Sequence, residues 1–416
     1  MKHLIAKNPY SVWIAGNASH SPQRGDPVIQ SAARIYRPPV QTCRRMYYHL
    51  ILTDACNLCC SYCRGKDFEE SDPPEREAAV DENIPPDLAF DLAGLYRFLG
   101  QDPTPVLTFY GGEPLLRPDL IEEIMEHAPP CRFMIQTNGL LLDRLLPEFR
   151  NRFSTVLVSI DGPEDLTDAH RGAGVYPRVM RNVRALRAGG YAGELIARMT
   201  IDEETDIEAA VLHLDGIEDN PFSAIHWQID ANFWGDWRRR DFARWAEESY
   251  NPGIRRLVGR WVAEMEEGRV PRWYPFLGCM ADLLSGQESR LRCGCGYMNY
   301  TVMTDGTIVP CPCMAGMTDW YLGHVSTTAP ADLRVAPVGE PCTTCDIAGF
   351  CGGRCLYSNI LRPWPVEGRQ TTCGTVRNLH DALVEAVPAI RRLIDAGVIS
   401  TEDFAFERYN GCEIIP

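Results

Sequence analysis

One segment near the start of the chain reads Cys56-Asn57-Leu58-Cys59-Cys60-Ser61-Tyr62-Cys63. It follows an apolar run at 48–53 that is typical of a buried strand. The thiols of Cys56, Cys60 and Cys63 have the spacing Cys-x3-Cys-x2-Cys. Three thiolates on one tight loop can bind three irons of a cubane cluster and leave the fourth iron open to another ligand. A zinc site is the alternative, although zinc more often binds paired Cys-x2-Cys hooks.

Strand-like and helix-like segments alternate from residue 46 to about 235. The predicted strands lie at 48–53, 106–110, 132–136, 155–160, 194–201 and 224–229. The predicted amphipathic helices between them lie at 86–98, 119–128, 142–149, 175–188 and 206–214. This alternation predicts an α/β fold with a parallel sheet. Functional side chains of such sheets collect at the carboxyl ends of the strands, so polar residues at those ends are site candidates.

Composition narrows the classes of function. The chain has 416 residues and a formal net charge of −15, and its longest basic run is Arg238–Arg240. We therefore expect no nucleic-acid partner and no attraction to an anionic membrane. No apolar run of transmembrane length occurs, and residues 1–17 lack the continuous apolar segment of a signal peptide. Seventeen cysteines without a secretion signal indicate a reducing, cytoplasmic compartment, where clustered thiols usually bind metals.

Polar motifs follow three more of the predicted strands. Gly111-Gly112-Glu113 ends the second strand. Its two glycines let the backbone approach a ligand closely, and Glu113 offers an acceptor for an ammonium group. Asn138 and Ser159 stand at the ends of the third and fourth strands, where they could meet hydroxyl groups or carboxylates. Asp161 is equally suited to capping the turn that follows.

The C-terminal half of the chain carries a second, larger array of cysteines. One part reads Cys342-x2-Cys345-x5-Cys351-x3-Cys355 and continues, after seventeen residues, to Cys373. Upstream, the spacing Cys-x12-Gly-x4-Cys joins Cys293, Gly306 and Cys311. Little of the region 279–373 is periodic, so we expect it to need metal ligation to fold. Iron–sulfur clusters and structural zinc are both open interpretations of this array.

The first cysteine loop and the glycine motif resemble those of the radical S-adenosylmethionine (SAM) superfamily. That superfamily carries Cys-x3-Cys-x-aromatic-Cys after its first strand, and Tyr62 fills the aromatic position. The resemblance implies that Cys56, Cys60 and Cys63 hold a [4Fe–4S] cluster whose open iron is chelated by SAM. It also implies an enzyme that cleaves SAM to a 5′-deoxyadenosyl radical, which abstracts hydrogen from a substrate. A ferredoxin or flavodoxin is the implied low-potential electron donor.

The same resemblance implies a set of SAM contacts. These are Tyr62, Gly111, Gly112, Glu113, Asn138, Ser159 and Arg171. Glu113 belongs to a Gly-Gly-Glu-Pro motif that, in the superfamily, binds the SAM amino group. Arg171 resembles an arginine near the SAM carboxylate, and Arg198 is a rival for that role. A surface salt bridge is the alternative for either arginine.

The C-terminal array resembles a SPASM domain, the auxiliary-cluster extension of peptide-modifying radical SAM enzymes. In that family one cluster, here auxiliary cluster II, takes the ligands matching Cys342, Cys345, Cys351 and Cys373. The other, auxiliary cluster I, takes those matching Cys293, Cys311 and Cys355. Its fourth ligand is open between Cys279, Cys295 and Cys313, and an iron left open to substrate is a further alternative. Structural zinc remains the alternative for the whole array.

These patterns predict a partial (β/α)6 barrel with further units around it. The predicted units are an extension at 1–44, a radical SAM core at 45–236, a helical bridge at 237–278, a SPASM domain at 279–375 and a C-terminal helix and tail at 376–416. The extension is expected to be non-catalytic. The segments 350–355 and 409–413 resemble those of archaeal peptide-modifying radical SAM enzymes.

The expected function is the modification of a peptide or protein by radical hydrogen abstraction. The auxiliary clusters would then accept an electron or bind a thiolate. Action on a small molecule such as a haem precursor is one alternative, and a zinc-stapled binding protein without a redox role is another. Cys43 and Cys131 are expected to be ordinary thiols, Cys59 a buried one, and Cys412 either an ordinary thiol or a mobile catalytic residue.

Overall fold

A single sheet organises the chain. The computed structural model describes residues 45–63, 74–410 and 415–416, so the predicted extension and Cys412 lie outside the described residues. Within them, the strands are β1 (Tyr47–Ile51), β2 (Val106–Tyr110), β3 (Arg132–Thr137), β4 (Phe153–Ser159), β5 (Glu194–Ile201), β6 (Ala224–Ile229), β7 (Asn299–Val302), β8 (Thr307–Val309) and β9 (Gly323–His324).

The strand order confirms the predicted parallel β/α architecture. Strands β6, β5, β4, β3, β2 and β1 lie side by side in that order, and each pair is parallel. Strand β7 extends the parallel set beyond β1, and β8 and β9 follow it in antiparallel pairing. The cysteine-rich region is therefore continuous with the sheet through β7. The division into a core and a cysteine-rich domain remains a prediction.

Helices connect the strands and cover the sheet. They are α1 (Leu92–Leu99), α2 (Pro118–His127), α3 (Pro147–Arg150), α4 (Glu164–Arg171), α5 (Val175–Ala188), α6 (Ile207–Asp215), α7 (Phe242–Trp245), α8 (Asn251–Glu266), α9 (Tyr274–Ser285), α10 (Ala348–Cys351), α11 (Leu356–Leu361) and α12 (Val366–Asp395). Helix α5 shows the principle: Val179, Val183 and Leu186 recur at helical spacing and are buried. None of the helices in the described part of the chain is both long and apolar enough to cross a membrane.

A short tail segment lies across the amino ends of several strands. The Glu407 carboxylate accepts hydrogen bonds from Tyr47 of β1 (3.0 Å) and Arg132 of β3 (2.5 and 2.7 Å). Asn410 accepts a hydrogen bond from Thr155 of β4 (2.8 Å) and donates one to Glu194 of β5. This one segment therefore contacts four strands at or near their amino ends, on the edge of the sheet opposite the cysteine loop.

Three predicted helices differ from the structure. Helix α1 begins at Leu92 and not at residue 86, because the preceding residues hydrogen-bond to other segments: Leu88 N donates to Leu52 O (3.0 Å). The predicted helix 142–149 is interrupted, since Pro147 starts the separate helix α3. The C-terminal helix begins at Val366, well before the predicted unit at 376–416, so Cys373 lies on a helix.

Candidate active site and cysteine clusters

The first cysteine loop lies at the carboxyl end of β1. Cys60 is buried, Cys63 is half-buried and Cys56 is exposed. The loop is folded on itself, with Cys63 N donating to Cys60 O (3.1 Å). Burial raises the pKa of Cys56 and of Cys60, and the neighbouring thiols raise both further. The three thiols thus lie within electrostatic range of one another. Cys59 is exposed, so its predicted burial is wrong.

Gly111 and Gly112, at the end of β2, lie against the backbone that leads into the cysteine loop. Gly112 N donates to Thr53 O (2.8 Å), and Glu113 N donates to Ala55 O (2.9 Å). A Cβ atom on Gly112 would lie 2.3 Å from Ala55 O, so only glycine fits. Gly111 has a φ of +136°. The close approach predicted for a ligand is thus made to the chain's own backbone, at the entry to the cysteine loop.

Glu113 joins the glycine turn to the end of β3. Its carboxylate is fully buried and accepts hydrogen bonds from Asn138 N (2.7 Å), Thr137 Oγ1 (2.8 Å) and Leu115 N (3.0 Å). Burial raises the pKa of Glu113, and these hydrogen bonds counteract the rise. Asn138 Nδ2 in turn donates to Asn57 Oδ1 (2.7 Å) and lies 3.9 Å from Cys56 Sγ. Predicted site residues from three strand ends therefore meet around Cys56.

A second meeting point is Asp161, which follows β4. Tyr62 donates to Asp161 Oδ2 (2.7 Å), and Arg171 donates to both carboxylate oxygens (Nε 2.7 Å, Nη2 2.8 Å). Thr200 N of β5 donates to Asp161 Oδ1 (2.9 Å). Burial opposes ionisation of Asp161, but Arg171 and the hydrogen bonds lower its pKa to about 2. Arg171 is thus paired in the interior and not in the surface salt bridge considered as an alternative.

His170 extends this ionic network towards the surface. Its Nδ1 lies 3.4 Å from Asp161 Oδ2, and its Nε2 lies 3.3 Å from Asp202 Oδ1 and 3.9 Å from Glu204 Oε2. Burial opposes protonation, but Asp161 and Asp202 raise the pKa of His170 to about 9. The ring packs edge-on against Tyr62 at 5.4 Å between centroids. Sequence analysis missed His170, although its position next to Arg171 was a usable signal.

A cavity of about 330 Å³ opens beside Tyr62, where β5 and β6 end. Its charged lining residues are Asp202, Glu203, Glu204, Asp230, Asp236, Asp241, Arg239 and Arg240. The Arg240 guanidinium is held by Glu203 (2.7 Å), Asp236 (3.0 Å) and Asp230 (3.2 Å). Since carboxylates outnumber arginines in the lining, the cavity favours positively charged groups.

Ser159 and Arg198 lie opposite each other on β4 and β5. Arg198 donates from Nη2 to Gln228 Oε1 of β6 (2.9 Å), and Ser159 is half-buried. Both residues therefore lie on the sheet near the end that carries the cysteine loop.

The residues proposed for auxiliary cluster II come together from three elements. Cys342 lies in a short turn, Cys351 ends α10 and Cys373 lies on α12. Burial, and next the charges of Cys351, Cys373 and Cys345, raise the pKa of Cys342 to about 11. Cys342 therefore lies within electrostatic range of the other three thiols, and their role as ligands of one cluster stays a prediction.

The residues proposed for auxiliary cluster I gather around a small apolar cluster. Cys293 and Cys311 pack on this cluster, which includes Leu356, the residue after Cys355. Burial, and next the charge of Cys311, raise the pKa of Cys355. Metal binding would displace the protons from all of these thiols, because thiolates are the ligands.

Arg354 is a buried cation between the two auxiliary groups. It is 7% exposed, and its guanidinium points to the carbonyl oxygens of Ile229 (3.5 Å), which ends β6, and of Ala231 (3.4 Å). Cys351 is a proposed ligand of auxiliary cluster II and Cys355 of auxiliary cluster I. Burial, the largest effect, raises the pKa of both thiols, and the positive charge of Arg354 lowers it. Sequence analysis did not single out this residue.

No group of three or more His, Cys, Asp or Glu side chains in residues 45–63, 74–410 and 415–416 is arranged to hold a metal ion. The ligands of an iron–sulfur cluster bind separate irons and so need not converge on one point. The proposed cluster ligands therefore rest on the grouping of the thiols and on the family resemblance.

Residues 50–214 match the family model of the Radical SAM superfamily. A radical SAM domain therefore spans residues 50–214 of this chain. A radical SAM domain implies a [4Fe–4S] cluster and SAM.

This radical SAM enzyme is similar to two curated relatives in sequence and to one solved structure in fold. Mycofactocin maturase MftC of Mycobacterium ulcerans is 26% identical over 346 residues, which are 77% of this chain and 86% of the relative. The AdoMet-dependent heme synthase of Nitratidesulfovibrio vulgaris is 29% identical over 169 residues, but the match spans only 39% of this chain and 42% of that protein. Native anSMEcpe, solved with bound AdoMet and the Cp18Cys peptide, superposes with a TM-score of 0.62 at 18% identity, over 85% of this chain and 99% of that one. This last likeness shows a shared fold.

Proposed function

We propose that this radical SAM enzyme modifies a residue of a peptide or protein by abstracting a hydrogen atom. The observation that carries the proposal is the combination, in one chain, of the Cys56–Cys63 loop with two further groups of neighbouring thiols. The likeness to MftC, a maturase, over most of both chains supports it. So does a fold shared with a structure that contains a bound peptide.

The residues of the first loop would hold the [4Fe–4S] cluster through Cys56, Cys60 and Cys63. When bound together, the cluster and SAM supply a 5′-deoxyadenosyl radical that abstracts hydrogen from a carbon of the substrate. Gly112 and Glu113 fix the loop by the backbone hydrogen bonds to Thr53 and Ala55. Asn138 fixes it from the end of β3 through Asn57.

The proposed SAM contacts divide into two classes in this chain. Glu113 and Arg171 use their charged groups within the protein, so they would act on SAM mainly by positioning other residues. Ser159 is half-buried on β4, and the backbone of Gly111 and Gly112 adjoins the loop. We assign direct polar contacts to Ser159 and to this backbone. Tyr62 would hold the loop in place through Asp161.

The lining of the cavity supports a substrate with positive charge near the modified residue. Asp202 and Asp230 directly follow β5 and β6, so their carboxylates lie at the carboxyl edge of the sheet. A basic peptide segment would be attracted to this edge.

Action on a haem precursor is the second candidate, favoured by the partial match to a heme synthase. Haem precursors carry several carboxylates, and the excess of acidic groups in the cavity would repel them. We therefore rank the peptide first.

The test is an anaerobic reaction with SAM, dithionite and a peptide encoded beside the gene, with the peptide deuterated at carbon. The proposal predicts a mass change in the peptide and deuterium in the released 5′-deoxyadenosine, both absent with Cys60→Ala. Deuterium transfer from a coproporphyrin and from no peptide would instead establish the second candidate. A protein that binds zinc and no iron would establish the zinc-stapled alternative.

A further inference from the structure

Cys295 lies at the centre of one group of thiols. Its thiol hydrogen-bonds with those of Cys293 and Cys311, two of the three residues proposed for auxiliary cluster I. Cys295 is 4% exposed and belongs to the same small apolar cluster on which Cys293 and Cys311 pack. Leu356, which follows Cys355, is part of that cluster. Four cysteines thus border one small volume.

A tight turn brings Cys293 and Cys295 together. Gly294 and Gly296 have φ values of +76° and +68°, which glycine adopts without strain. The Gly294 carbonyl accepts hydrogen bonds from Met298 N (2.9 Å) and Asn299 N (2.8 Å). Gly296 N lies 3.2 Å from Pro310 O, which ties the turn to the residue before Cys311. The backbone therefore fixes Cys295 beside Cys311.

Of the two competing cysteines, Cys279 lies in a different part of the packing. Cys279 is on α9 and belongs to the main hydrophobic core of the sheet and helices, where it is 1% exposed. Cys313 lies in the short turn Pro312–Met314 and is half-buried. Cys295 contacts two of the proposed ligands of auxiliary cluster I, through its hydrogen bonds with Cys293 and Cys311.

We propose that Cys295 is the fourth ligand of auxiliary cluster I, with Cys293, Cys311 and Cys355, so that every iron of this cluster is bound by a cysteine. This inference rests on the proposed function, because it takes the bound group to be an iron–sulfur cluster. A cluster with four protein thiolates has no iron open to a substrate thiolate. Auxiliary cluster I would then transfer electrons and would not bind the substrate directly.

The experiment uses the full chain, reconstituted anaerobically, with Cys56, Cys60, Cys63, Cys342 and Cys345 changed to alanine so that auxiliary cluster I dominates the signal. Cys295→Ala and Cys295→Ser are compared in this background with the matched variants Cys313→Ala and Cys279→Ala. Iron and sulfide content, circular dichroism and the EPR spectrum of the reduced protein are recorded with and without added cyanide.

We expect either Cys295 variant to lose most of the remaining iron, or to keep a cluster whose EPR spectrum changes when cyanide binds the newly open iron. The background protein and Cys313→Ala should keep their iron and show no response to cyanide. A cyanide response in the background protein itself would overturn the assignment without any variant, as would full iron and an unchanged spectrum in folded Cys295→Ser. Zinc in place of iron in the background protein would instead overturn the proposed auxiliary cluster, and with it this inference.

Discussion

Tyr62 and Asp161 are joined by a hydrogen bond of 2.7 Å that connects the cysteine loop to the end of β4. Asp161 is fully buried and also holds Arg171. The loop that carries Cys60 and Cys63 is thus anchored to an ionic network in the interior, and not only to its own strand.

Changing Tyr62 to phenylalanine removes this anchor and keeps the ring. A hydrogen bond to a charged group contributes about 1.5–3 kcal/mol, so we expect a loss of about 2 kcal/mol in the free energy of unfolding. Iron should also leave the first cluster faster in the presence of a chelator. Tyr96→Phe is the control, because the Tyr96 hydroxyl has no hydrogen-bond partner among the described residues. Equal behaviour of the two variants would show that the Tyr62 hydroxyl does not hold the loop.

Gly112→Ala should displace the cysteine loop. Its Cβ would lie 2.3 Å from Ala55 O and 2.4 Å from Asp54 O, and backbone atoms cannot yield as a flexible side chain can. We expect the reconstituted variant to lose the iron of the first cluster while auxiliary iron remains. Gly259→Ala is the matched control, since a Cβ there meets nothing within 4 Å on helix α8. That control should be stabilised by about 1 kcal/mol. Normal iron binding by Gly112→Ala would contradict the close approach.

Stability should fall as pH rises from 6.5 towards about 9, because His170 titrates over that range. The pKa of His170 is raised in the folded state, so its contribution is fully present below pH 6.5 and is lost above about 9. The full loss is on the order of 3 kcal/mol. His170→Gln should reduce the change in unfolding temperature between pH 6.5 and 9, whereas His213→Gln should not. An unchanged slope in His170→Gln would assign the effect to other groups.

The tail segment should stabilise the sheet through Glu407. Its carboxylate binds Arg132, Tyr47 and Arg45, and the charged groups of Glu407, Arg132 and Arg45 are partly exposed. We therefore expect Glu407→Gln to cost only about 1 kcal/mol in the free energy of unfolding. Glu402→Gln, an exposed residue in the preceding short turn, should cost less. Equal values for the two variants would mean that the tail does not clamp the strand ends.

The strands were predictable because buried parallel strands consist of continuous runs of apolar residues, which the sequence shows directly. The predicted strands 106–110, 194–201 and 224–229 have the same bounds as β2, β5 and β6. Helix α4 was missed, because its buried face consists of polar residues such as His170 and Arg171. The early start of α12 was also missed: Gly368 in its first turn lies against Trp237, a long-range contact that local periodicity does not show.

The site was predictable as a set of residues but not as a set of contacts. Sequence shows that Glu113 and Arg171 are charged groups near strand ends. It does not show that each uses its charge on a partner within the protein, at Asn138 and at Asp161. The acidic cavity had a local signal, because Asp202 and Asp230 directly follow two predicted strands.

The most direct test of the account is reductive cleavage of SAM. The full chain is reconstituted with iron and sulfide and incubated anaerobically with SAM and dithionite, and 5′-deoxyadenosine is quantified for the wild type and for Cys60→Ala. We predict 5′-deoxyadenosine from the wild type and none from the variant. A wild-type protein that carries an intact [4Fe–4S] cluster on Cys56, Cys60 and Cys63 and yet releases no 5′-deoxyadenosine would contradict the assignment of this loop as the radical-generating site.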